Sequence, residues 1–135
     1  MNISGKAGLL TIYVGESDKL HGRPLFEAIV FEARKAGIAG ATVFKGIMSF
    51  GASHSIHTQK IFALSGDLPV SIEITDTAEK LKAFAGRINE LMDQSKKGGL
   101  VTFQEVHVWR YEKGEKYKKN ELSNDPSEET GPAAE

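Results

Sequence analysis

Two apolar stripes at helical spacing, each flanked by alternating strands, most constrain what this chain can become. The first stripe is Leu25, Phe26, Ile29, Val30, Ala33 and Ala36. The second, and the more regular, is Leu81, Phe84, Ala85, Ile88, Leu91 and Met92. Each stripe gives a helix one face to bury. Residues 9–14 (LLTIYV) precede the first, and both phases of that segment are fairly apolar, so it reads as a central strand covered on both sides. Residues 39–57 (AGATVFKGIMSFGASHSIH) follow it. Here Ala41, Val43, Lys45 and Ile47 share one side, and Thr42, Phe44, Gly46 and Met48 the other. Val70, Ile72 and Ile74 form the strand before the second helix, and residues 101–111 the strand after it.

Strand–helix–strand written twice, with both helices on one face, predicts an α+β class. The architecture is a ferredoxin-like βαββαβ sandwich with an antiparallel sheet. Crossover handedness restricts each half to one winding. A sheet covered on one side leaves a bare face, expected to include Thr11, Tyr13, Thr42, Phe44 and Met48. That mixture is too apolar to stay wet, which points to self-association.

Local signals set the boundaries. Pro24 suits the first helical position, and Gly37 a left-handed cap. Asp76 with Glu79 three residues on reads as a capping box. The segment GESDKLHG (15–22) reads as a polar connection, residues 56–64 as extended, and Ser65-Gly66-Asp67 as a turn. In the last strand the apolar phase flips between Val101/Phe103 and Val106/Val108, which predicts a bulge near Gln104 or Glu105. From Glu112 the composition becomes polar. The chain is therefore divided into a domain at 1–111 and a tail at 112–135, with Lys116, Lys118 and Lys119 as a small basic cluster in the tail.

Composition narrows the chemistry. The 135 residues suit one domain, and a net charge of −1 offers no broad basic surface for nucleic acid. With no cysteine there is no disulfide, thiolate nucleophile or Cys-ligated zinc. No apolar run has the length of a signal peptide or a membrane span, so the expected location is cytoplasmic. Ser53, Ser55, His54 and His57 are too local to form a triad, and Glu16, Asp18 and Glu73 show no paired arrangement, so no enzyme is expected.

The sequence points to the strand that runs into small and polar residues after Lys45 as the binding element, because loops carry function on a rigid scaffold. Gly46 and Gly51 allow close backbone approach to a phosphate. Lys45 and Arg110 are candidate cations, expected on adjacent strands. His21 and Arg23, just before the first helix, add to them. The competing reading makes the glycines turn residues and the cations surface charges. His54 and His57, three apart, allow a metal alternative, although a site needs three or four ligands. Trp109 and Tyr111 read as subunit contact or core.

Four segments carry a resemblance: LTIYVGESDKLHGRPLFEAI (10–29), GIAGATVFKGIMSFGASHSIHT (37–58), DLPVSIEITD (67–76) and VTFQEVHVWRY (101–111). The chain resembles the PII-like signalling proteins, and more closely the bacterial PII-like family called domain of unknown function one-ninety. The resemblance implies a homotrimer with sheets facing inward, and a regulatory role. It implies adenine nucleotide (AMP, ADP or ATP) as effector in clefts between subunits, with no required cofactor. It also implies a partner protein, such as a membrane transporter, met through the loop after the second strand. That loop includes Ser49, Phe50, Ser53, His54, Ser55 and His57. Gly40, Thr42 and Val43 match the PII second-strand motif. The PII phosphate loop is absent, with Lys96-Lys97-Gly98-Gly99 in its place. Of the two C-terminal arginines Arg110 is kept, and Glu112 stands for the other. A cation exchanged for an anion implies a mono- or diphosphate nucleotide rather than ATP with magnesium.

Overall fold

The computed structural model describes residues 3–51 and 68–117, and the backbone of residues 57–58. It places β1 at Gly5–Gly15, β2 at Lys19–Leu20, β3 at Arg23–Pro24 and α1 at Leu25–Lys35. Then come β4 at Ala41–Lys45, β5 at Met48–Ser49, β6 at His57–Thr58, β7 at Pro69–Asp76, α2 at Ala78–Ser95 and β8 at Leu100–Val108. Four strands make one antiparallel sheet in the order β4-β7-β1-β8. This is the ferredoxin-like arrangement, with the two helices against one face.

The core is where the helical stripes meet one phase of the strands. Leu10, Ile12 and Val14 of β1 and Val70, Ile72 and Ile74 of β7 pack with Leu25, Ile29 and Ala33 of α1. Leu81, Phe84, Ile88 and Leu91 of α2 complete the cluster. Register assigns the opposite phase to the open face: Thr11 lies opposite Glu73 and Thr102, and Tyr13 opposite Ser71 and Leu100. Thr42 and Phe44 join them through Glu73 and Ser71.

Gly37 closes α1 as expected. It has φ +75°, its N–H donates to the Arg34 carbonyl, and the Ile38 N–H donates to the Ala33 carbonyl. Those two bonds make a complete Schellman motif, with Ile38 packed on the core. On the outer side of the helices, Arg87 bonds Glu32 at 2.9 Å and Glu90 at 2.8 Å. The Arg87 hydrogen bond holds the Glu32 carboxyl below its usual value, against a smaller opposing effect of burial.

Several expectations are corrected. Pro24 is the N-cap of α1, with ψ 131°, rather than its first helical residue. Thr77, not Asp76, caps α2: its Oγ1 accepts from the Lys80 N–H at 3.3 Å. The 15–22 connection contains half of the β2–β3 hairpin. Its turn is His21-Gly22, with φ of +50° and +81°. Met48 sits in the β5–β6 hairpin, outside the four-stranded sheet, because β4 stops at Lys45.

No bulge occurs in β8. The register runs unbroken from Gly5 opposite Val108 to Tyr13 opposite Leu100. The phase flip reflects which face is covered along the strand. Val101 packs against the core under the helices. Val106 lies opposite Ala7 on the other face, where Ala7 is only 3% exposed. Residues 112–117 are exposed. Residues 59–67 and 118–135, which include the expected turn and most of the tail, lie outside the described residues.

Candidate functional site

The candidate residues fall into two groups, one at each end of the sheet. At the first end β4 begins, β7 finishes and β8 finishes. Asp76, 1% exposed, organises it. One carboxylate oxygen accepts the Thr77 N–H at 2.6 Å, and the other accepts the Ala39 N–H at 2.9 Å. A buried carboxylate needs such donors, and here backbone amides supply them. The Lys80 ammonium donates to the Gly37 carbonyl at 3.1 Å. The Tyr111 hydroxyl donates to the Ala39 carbonyl, across 72 residues of sequence. This bond draws the segment after β8 toward the start of β4, so Arg110 shares an end of the sheet with Gly40 and Thr42. Gly40 is exposed, and a Cβ there would meet nothing within 4 Å. The Arg110 guanidinium lies 3.2 Å from Glu112, and both side chains are largely exposed.

At the second end β1 finishes, β4 finishes and β7 begins. Lys45 Nζ is 3.2 Å from Glu16 Oε2. That oxygen is buried, and among the described residues no hydrogen bond is aligned on it, so its attraction to Lys45 is a charge contact. Asp18 shapes the approach to α1: its carboxylate accepts the Gly15 N–H at 2.9 Å, and its carbonyl accepts the Leu25 N–H at 2.8 Å. Arg23 stacks 5.0 Å from the centre of the Phe31 ring, a cation–π contact. His21 is exposed at the hairpin turn.

Gly46 has a packing explanation. Its N–H donates to the Pro69 carbonyl at 2.8 Å, and a Cβ would stand 2.7 Å from Pro69 Cγ. Gly51 has no such neighbour. The expectation that Lys45 and Arg110 occupy adjacent strands is corrected. β4 and β8 are the two outer strands, with β7 and β1 between them, and Arg110 lies beyond the end of β8. Chain order misled here, because this topology puts its first and third main strands in the middle.

Of the loop residues, Ser49 lies in β5 opposite the backbone of His57, and Phe50 is exposed. Ser53, His54 and Ser55 lie outside the described residues, and so does the side chain of His57. Sequence reasoning missed the roles of Tyr111, Asp76 and Glu16. Tyr111 carried no local signal, since its partner is distant in the chain. Asp76 reads from sequence alone as a helix cap.

The model of the family described as "Uncharacterized ACR" (DUF190) matches residues 7–108. The chain belongs to the DUF190 family. Two relatives agree. A "UPF0166 protein" of Aquifex aeolicus (strain VF5) is 36% identical over 103 residues, covering 76% of this chain and 93% of that one. A "UPF0166 protein" of Methanocaldococcus jannaschii is 37% identical over 112 residues, covering 83% and 97%. Among solved structures, the DUF190 chain is similar to CPII, "a nitrogen regulatory PII-like protein" from Thiomonas intermedia K12 bound to ADP, AMP and bicarbonate. The TM-score is 0.61 at 16% identity, over 78% of this chain and 90% of that one. The fold of this DUF190 member is thus PII-like. Among its described residues no helix is long and apolar enough to cross a membrane.

Proposed function

We propose that this DUF190 protein is a PII-like regulator rather than an enzyme. Copies associate through the open sheet face as a homotrimer and bind an adenine mono- or diphosphate nucleotide between them. The ligand then alters how the segment after β4 meets a partner protein. A ligand does this only by favouring one state of that segment over another.

The observation that carries the reading is the division of the candidate ligands between two ends of one sheet. Gly40, Thr42 and Arg110 lie at one end, and Lys45, Arg23 and His21 at the other. On one chain the two groups stand at opposite ends of the sheet, whereas copies packed face to face can bring complementary groups to a seam. The open face is suited to such packing, with Tyr13, Phe44 and Leu100 at 44%, 50% and 55% exposure. Arg110 with Glu112 beside it fits a modest phosphate charge. CPII, of the same fold, binds ADP and AMP by its description.

Isothermal titration with AMP, ADP and ATP, alongside light scattering, tests the proposal. The expected result is saturable heat with AMP or ADP, weaker or absent heat with ATP, and a mass three times that of the chain. Flat traces with all three nucleotides would remove the ligand. A lone 14.7 kDa particle at micromolar concentration would remove the seams.

A further inference from the structure

β8 and β4 are separated by two strands, about 14 Å at the usual strand spacing. Only three residues lead from Val108 to Tyr111, a reach of about 10 Å when extended. For the Tyr111 hydroxyl to meet the Ala39 carbonyl, this short strap must run across the end of the sheet, with the phenol ring spanning the remainder. The strap is not held down by burial of its other side chains: Trp109 is 91% exposed and the Arg110 side chain 80%. Among the described residues, Tyr111 supplies the hydrogen bond that ties residues 109–111 to the first half of the chain. Its anchor is firm, because the Ala39 N–H is held by the buried Asp76 carboxylate.

We infer that Tyr111 is a positioning residue: its bond to Ala39 holds Arg110 beside Gly40 and Thr42, where the guanidinium meets ligand phosphate. This rests on the nucleotide reading of Arg110 and adds to it a residue that touches no ligand itself. The open space at Gly40 leaves room beside the strap. Without the hydroxyl, Arg110 would sample many directions, and ordering it would count against binding.

Trp109 is the one tryptophan of the chain and lies within the strap, so its fluorescence anisotropy reports whether the strap is tethered. The full chain is compared as wild type, Tyr111→Phe, Arg110→Ala and the double variant, each confirmed folded by circular dichroism. Tyr111→Phe is expected to lower Trp109 anisotropy. Loss of one neutral hydrogen bond should weaken ADP binding about 2- to 10-fold. Added to Arg110→Ala, it should cause no further loss, because it acts through Arg110. Unchanged anisotropy in Tyr111→Phe overturns the latch. Wild-type ADP affinity with a released strap overturns the positioning role, and so does an additive loss in the double variant. Failure of the nucleotide reading looks different: the wild type itself then gives no heat with AMP or ADP, and the positioning role falls with it.

Discussion

On the helix-covered face Ile12, Ile72 and Ile74 are wholly excluded from solvent, while on the opposite face of the same sheet Tyr13, Phe44 and Leu100 are about half exposed. Both faces are built from alternate residues of shared strands, so backbone propensity cannot account for the difference. What differs is the partner. The covered face finds α1 and α2 within the chain. The open face has threonines, Ser71 and Glu73 among its aromatics, a composition suited to contact that is made after folding. One face explains why the chain folds, and the other what the folded chain presents.

Substitutions can break that contrast, beginning with the strongest. Ile72→Ala removes three buried carbons at the centre of the core and should cost about 2–5 kcal/mol by denaturant unfolding. A cost under about 1 kcal/mol would mean that this core is far looser than described. Gly8→Ala is next. Gly8 lies on the helix face beneath the Phe103 ring, and a Cβ would also stand 2.9 Å from Leu81 Cδ1. Overpacking there should cost about 1–3 kcal/mol.

On the open face, Phe44→Glu should change the stability of the isolated fold by less than about 0.5 kcal/mol. It should nevertheless abolish assembly, read as a fall in sedimenting mass and a melting temperature that no longer depends on concentration. Unaltered mass would separate this face from self-association. Smallest of all is Glu32→Gln on the outer surface of the helices. Because the folded-state carboxyl is held below its usual value, its stabilisation is present above the unfolded value near 4.5 and is lost as pH falls through the folded one. The variant should therefore match wild type at acid pH and fall slightly below it at neutral pH.

The parts of this fold legible in the sequence are those fixed by neighbours a few residues away. The stripe from Leu81 to Met92, the alternation of Val70, Ile72 and Ile74, and the Gly37 cap all depend on local periodicity or a local φ. Errors of one residue arose where two residues could do the same work, as with Asp76 and Thr77 at the start of α2. Only the fold decides between them, because Asp76 is claimed by Ala39 from another element. The bulge expected in β8 failed for a related reason: an apolar phase tells which side is covered, and cover can change along one strand. The site was the least legible. Gly46 reads the same whether a phosphate or Pro69 fills the space above it, and the bond from Tyr111 to Ala39 leaves no trace at short range.

The straight register of β8 has a further consequence. Among the described residues it pairs along one side alone, so its outer row of amides and carbonyls is a template for another strand. A kink would have blunted that border, and none is there. The border does carry a charge, Glu105, which lies 3.4 Å from Lys6 of the neighbouring β1. Crowded chains with that charge removed would be expected to knit border to border into fibres.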